Sequence, residues 1–233
     1  IELANGLDLT FAFGITNDGT IRTAADGATT EIRVDSEVLT IDGVGEIVLG
    51  GDAIRDRITG NSFGDVLVHG ASHVIRGGGL LGVNVIDIEN LGLVVADDPD
   101  AELQVDPLAT FTNLGTLRGA PGSELQLFGG TYLNDGGIIE AADGGTVVLA
   151  GAGIVGGDLV SPGAGLVRVG TGSARLEDVR NLGTIELANG LDLNLAGSIT
   201  NDGTIRTAAD GATTEVRVDA SLVVLEGTGE ILL

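Results

Sequence analysis

Few side chains in this 233-residue chain could carry chemistry, and their spacing limits what that chemistry is. There is no Cys, so no disulfide, thiolate ligand or cysteine nucleophile is possible. All eleven cations are Arg, which removes Schiff-base and phosphate-cradling lysines. The two histidines, His69 and His73, lie four apart in a Gly-rich, strand-like stretch. A continuous strand would set them on one face but about 13 Å apart, too far to share a metal. They are expected to be ordinary surface or turn residues.

Carboxylates are far more numerous, 34 in all. The run Asp97-Asp98-Pro99-Asp100-Ala101-Glu102, with Asp106 close behind, offers the oxygen-rich, flexible setting that calcium takes. Its candidate ligands are Asp97, Asp98, Asp100, Glu102 and Asp106, and the alternative is a solvated turn broken at Pro99. The stretch Gly51–Asp65 has some likeness to calcium-binding Gly-Asp nonapeptides, but it does not keep their period. A sugar-cleaving site would need two carboxylates flanking one bond, usually beside an aromatic platform. Trp is absent, Tyr132 is the single tyrosine and the five Phe are scattered, so no catalytic residue is nominated and the chain is not expected to be an enzyme. Apart from possible calcium, no cofactor is indicated.

The elements that would hold these residues follow from composition and repetition. Hydrophobic residues make up 43% of the chain but aromatics only 3%, so the apolar material is small and branched aliphatic. With 40 Gly, this suits many short strands joined by tight turns. A net charge of −23 argues against nucleic acid and anionic membranes as partners, because there is no cationic surface to meet phosphate. No stretch approaches the roughly 18 apolar residues of a membrane span, so no membrane insertion is expected.

Residues 1–49 return as 185–233 at a constant offset of 184, with 35 of 49 positions identical. Ile15–Glu31 recurs unchanged as Ile199–Glu215. The chain therefore reads as one continuous segment, 1–233, holding about one and a quarter copies of a tandem unit of 184 residues. Where the copies differ, aliphatics replace aliphatics at Val38, Leu39 and Ile41, as stacked packing allows.

Inside the unit a shorter period appears. Asn-x-Gly-x-aliphatic recurs at Asn17, Asn90, Asn113, Asn134, Asn181 and Asn201, with adjacent spacings of 23, 21 and 20. Between these positions aliphatics alternate with polar residues, as in Leu125-Gln126-Leu127 and Val167-Arg168-Val169, which is a strand period. A step of 20 to 25 residues fits one coil of a solenoid. The expected fold is all-β, a right-handed parallel β-helix of about ten coils stacked at roughly 4.8 Å. The Asn residues would be its corners, tolerant of left-handed backbone and stacked into an amide ladder. Alternating charges such as Glu31, Arg33 and Asp35, repeated as Glu215, Arg217 and Asp219, predict a polar face laced with ion pairs.

The runs His73–Asn84, Ile88–Gly92 and Asn113–Leu117 resemble the large repetitive β-solenoid proteins of bacteria, of the filamentous-haemagglutinin and autotransporter-passenger type. That resemblance implies an extracellular or cell-surface protein, acting as a fibre, stalk or matrix component. Its implied partners are identical chains or neighbouring repeats stacked end to end. An adhesin module holding glycan, calcium or a cell surface is the second expectation, and a carbohydrate-active enzyme the third.

Overall fold

The computed structural model describes residues 1–50, 52, 54–208 and 210–233, with Ala220 and Ser221 described in backbone only. Among the described residues there are 29 strands and no helix, and every strand pairing is parallel. Parallel partners are always the strands of the next turn, so the chain is a β-solenoid of about ten turns.

Each turn has three faces. Face 1 begins with Glu2–Leu3, Thr20–Thr23 and Glu46–Gly50, and runs on through Leu93–Ala96, Thr116–Gly119, Ile138–Ala141, Asp158–Val160 and Arg180–Asn181. Face 2 carries Asp8–Phe11, Thr30–Val34, Asp56–Gly60, Leu103–Val105, Glu124–Phe128, Thr146–Ala150, Leu166–Thr171, Thr184–Ala188, Thr204–Ala208 and Glu230–Leu232. Face 3 carries Ile15–Thr16, Val38–Asp42, Val66–His69, Asp87–Asn90, Thr110–Asn113, Thr131–Leu133, Gly153–Val155 and Ala174–Glu177. Three long strands bend across corners. Val74–Leu81 serves faces 1 and 2, while Asp192–Asn201 and Glu215–Glu226 each serve faces 3 and 1. Gly77 and Gly79, at φ 108 and 156, let the first of these turn its corner.

Alternation puts one aliphatic side chain of each strand pair inward and stacks it on its counterpart in the next turn. On face 1 the register aligns Ile21, Ile47, Ile75, Val94, Leu117, Ile139 and Leu159, none more than 2% exposed. On face 2 it aligns Leu103, Leu125, Val147, Val167, Ile185 and Ile205. Burying each such side chain stabilises by roughly 1.5–3 kcal/mol. The thin interior admits one aromatic stack, Phe111 on Tyr132 in adjacent turns, with ring centroids 5.6 Å apart. The buried Tyr132 hydroxyl donates to the Val105 carbonyl at 2.8 Å.

The Asn-x-Gly motifs do mark corners, but not by left-handed backbone. Among the described non-glycine residues only Val83, Asn84 and Asp178 have positive φ, and none of the six motif Asn does. The glycine two residues on is required mostly by close approach. A Cβ on Gly92 would run into the Gly70 and His73 carbonyls, one on Gly115 into Gly92, and one on Gly203 into Gly183. Turn stacks on turn so tightly at these corners that no side chain fits between them.

Candidate functional site

The most elaborate polar structure in the molecule lies inside the corner between faces 3 and 1. It is built by Asn17, His69, His73, Asn90, Asn113 and Asn134, of which all but Asn17 are fully buried. The histidines are not surface residues 13 Å apart, as a continuous strand would have placed them. The chain turns at Gly70-Ala71-Ser72, so His69 ends a strand of face 3, His73 precedes the next strand on face 1, and both rings fold into the corner. Their nitrogens approach to 3.1 Å, and the rings meet edge to face.

The hydrogen bonds fix the proton positions along this column. Asn17 Nδ2 can only donate, so His73 Nε2, 2.9 Å away, accepts. His73 Nδ1–H then donates to His69 Nε2, and His69 Nδ1–H donates to Asn90 Oδ1 at 2.6 Å. Asn90 Nδ2 donates to Asn113 Oδ1 at 2.8 Å, Asn113 Nδ2 to Asn134 Oδ1 at 2.7 Å, and Asn134 Nδ2 to the Gly156 carbonyl. Both imidazoles are therefore neutral, and apart from the His73–His69 step every donor reaches a residue later in the chain. Burial pushes His69 down to about 4, opposed by its bond to Asn90. Burial lowers His73 as well, against the pull of Asp42 and Glu46.

Asn181 and Asn201 do not belong to that column. They lie at the end of face 1, at the corner between faces 1 and 2, where Asn181 Nδ2 donates to Asn201 Oδ1 at 2.7 Å and Asn201 Nδ2 donates to the Glu230 carbonyl. One sequence motif thus makes two ladders on two corners.

The acidic residues of the Asp97–Asp106 stretch are divided by the fold. Asp97 pairs with Arg76 at 3.3 Å. Asp98 accepts from the Asp100 amide at 2.9 Å, closing the turn locally. Asp98, Asp100 and Glu102 line an open cleft of about 460 Å³ with Ser123, Glu124 and Thr146. Burial, with Glu102 nearby, raises the Glu124 carboxyl above its usual range. Asp106 sits beyond the strand Leu103–Val105, at the next corner, where burial raises its pKa. Among the described residues no three His, Asp or Glu side chains converge in an arrangement that could hold a metal ion.

In the nonapeptide-like stretch, Gly51 and Ala53 lie outside the described residues. The carboxylates there serve their own loops: Asp52 pairs with Arg55 at 3.1 Å, Asp56 accepts from the amides of Ala25 and Asp52, and Asp65 accepts from Ser62. The arginines lace neighbouring turns, as expected of the alternating charges. Arg33 pairs with Asp8 of the turn before and with Glu31 on its own strand, Arg76 with Glu46, Arg118 with Glu140 and Arg206 with Glu186.

Sequence reasoning missed the histidine pair as part of the corner column. The signal for it was the run Gly70-Ala71-Ser72 between the two rings, small residues of the kind that favour a turn. The chain matches no known family model, no curated protein and no solved structure.

Proposed function

We propose that this chain is a segment of a secreted or surface-displayed bacterial fibre, stalk or matrix protein, a stiff rod assembled from tandem units. The observation that carries the reading is a contrast between equivalent positions of the two copies. Val34 and Ile41 in the first copy are 0% exposed, covered by the turn beyond them. Their counterparts Val218 and Leu225, at the C-terminal end of the described turns, are 68% and 51% exposed. These uncovered aliphatic columns support a reading in which another turn of the same kind stacks on that end. A solenoid of this type transmits load along its axis through parallel hydrogen bonds, and its length scales with the number of repeats.

The acidic exterior suits such a role. A charge of −23 spread over about ten turns leaves roughly two negative charges per turn, which keeps rods apart laterally while their ends remain adhesive. Electron microscopy of the native material tests the reading. Long rods with an axial rise of roughly 40 Å per unit, the height of 184 residues at the stacking spacing, are expected; discrete globular particles would overturn it.

A further inference from the structure

The two copies of the unit do not occupy the same faces of the solenoid. Glu2–Leu3 and Thr20–Thr23 of the first copy lie on face 1, whereas their counterparts in Thr184–Ala188 and Thr204–Ala208 lie on face 2. Asp8–Phe11 and Thr30–Val34 lie on face 2, and their counterparts, around Leu193–Leu195 and Glu215–Val218, on face 3. Ile15–Thr16 and Val38–Asp42 lie on face 3, and their counterparts, around Ile199–Thr200 and Val223–Glu226, on face 1. Every element has advanced by one face.

The register shows where the extra third of a turn comes from. Eight turns carry face 1 from Ile21 through Ile47, Ile75, Val94, Leu117, Ile139, Leu159 and Asn181 to Asn201. The counterpart of Ile21 is not Asn201 but Ile205, one corner further on. The unit is therefore eight and one-third turns long. Local contacts survive the rotation intact. Asn5 Oδ1 accepts from Asp26 and Ala28 just as Asn189 Oδ1 accepts from Asp210 and Ala212. Gly6 donates to Thr30 Oγ1 as Gly190 does to Thr214 Oγ1, and Asn17 Nδ2 donates to the Glu46 carbonyl as Asn201 does to that of Glu230. The same advance accounts for the two Asn ladders: the one on corner 3/1 ends at Gly156, and the motif resumes at Asn181 on corner 1/2.

We infer that tandem units of this protein are related by a screw of one third of a turn, so that a fibre returns to its starting orientation only after three units, about 120 Å by the stacking spacing. A lateral feature carried once per unit, such as the cleft lined by Asp98, Asp100 and Glu124, then faces three directions in succession. Partners can engage the fibre from all sides, where an in-phase array would present that surface on one side alone. This rests on the reading of the chain as a rod of tandem units.

The whole chain lacks cysteine, so pairs of spin labels can be placed on it cleanly. Asp26, Glu37 and Asp210 are exposed turn residues: Asp26 is at corner 1/2, while Glu37 and Asp210 are both at corner 2/3. Distances are measured by pulsed electron resonance in Asp26→Cys/Asp210→Cys, the sequence-equivalent pair, and in Glu37→Cys/Asp210→Cys. The one-face advance makes the non-equivalent pair the shorter, near the roughly 38 Å of eight stacked turns. An equivalent pair shorter than the Glu37 pair would overturn the screw while leaving the rod intact. Two distances both far below 38 Å would overturn the rod itself. Ala28→Cys and Ala212→Cys, exposed in the same turns as Asp26 and Asp210, repeat the comparison should a first variant fold poorly.

Discussion

At the scale of single residues, the buried histidines give this otherwise aliphatic rod a sensitivity to acid. His69 occupies the position that Asn90 and Asn113 fill in the following turns, and it needs the neutral form to accept from His73. Its pKa falls from 6.5 in an unfolded chain to about 4 in the fold, chiefly through burial. A depressed histidine contributes stability that is complete above the unfolded value and is lost as pH falls toward the folded one. The window is therefore about pH 6.5 down to 4, and the loss approaches about 3 kcal/mol at its acid end. Asp42 and Glu46 act on His73 in the opposite direction, which softens the loss. Thermal melts from pH 8 to pH 4 should show a falling midpoint, and His69→Asn, which restores the amide the column carries in its neighbours, should fall less steeply. Equal slopes for the two proteins would show that the carboxylates alone govern the acid response. The spacing of the histidines could be read from sequence, but not their burial, because the turn between them sets direction and the column above them sets what they must bond.

Elements are held together by what stacks above and below, so one sequence can have two energetic meanings. Gly19 and Gly203 are the same position of the same motif in the two copies. A Cβ on Gly19 meets nothing within 4 Å, whereas one on Gly203 overlaps the Gly183 backbone, and neither residue has positive φ. Gly19→Ala should therefore be neutral or stabilise by about 0.4–1 kcal/mol through the unfolded chain. Gly203→Ala should destabilise by about 1–3 kcal/mol, the usual cost of overpacking. Denaturant midpoints of the two variants check this, and equal effects would mean the corners are looser than the stacking implies. Strand positions, the parallel period and the corner role of the Asn motifs were legible from alternation and spacing, because each turn repeats the same local demand. The split into two ladders was not, since a gap of 47 residues between Asn134 and Asn181 counts equally well as two steps on one corner or a step onto the next. The candidate acidic loop failed to stay together for a related reason: Asp97 and Asp106 are near in sequence, but the strand Leu103–Val105 carries the latter to another corner.

For the molecule as a whole, stability is a sum over turns and the interfaces between them, with no term linking distant ends. The C-terminal turn is then one of the weaker ones, since Val218 and Leu225 lack the neighbour that buries Val34 and Ile41. Adding the sequence of residues 50–81 directly after Leu233 supplies the turn that follows the same segment in the first copy. Because the screw is a property of the whole unit, the added turn should stack on the rotated faces as readily as its original does on the unrotated ones. Two consequences are measurable together. The extended chain should melt higher than the 233-residue chain. Leu225→Ala, nearly silent in the latter where the side chain is half exposed, should cost about 2–5 kcal/mol in the former, the range for truncating a buried aliphatic. If the extension raises neither the midpoint nor the cost of the substitution, the exposed columns are not a docking edge for the next turn.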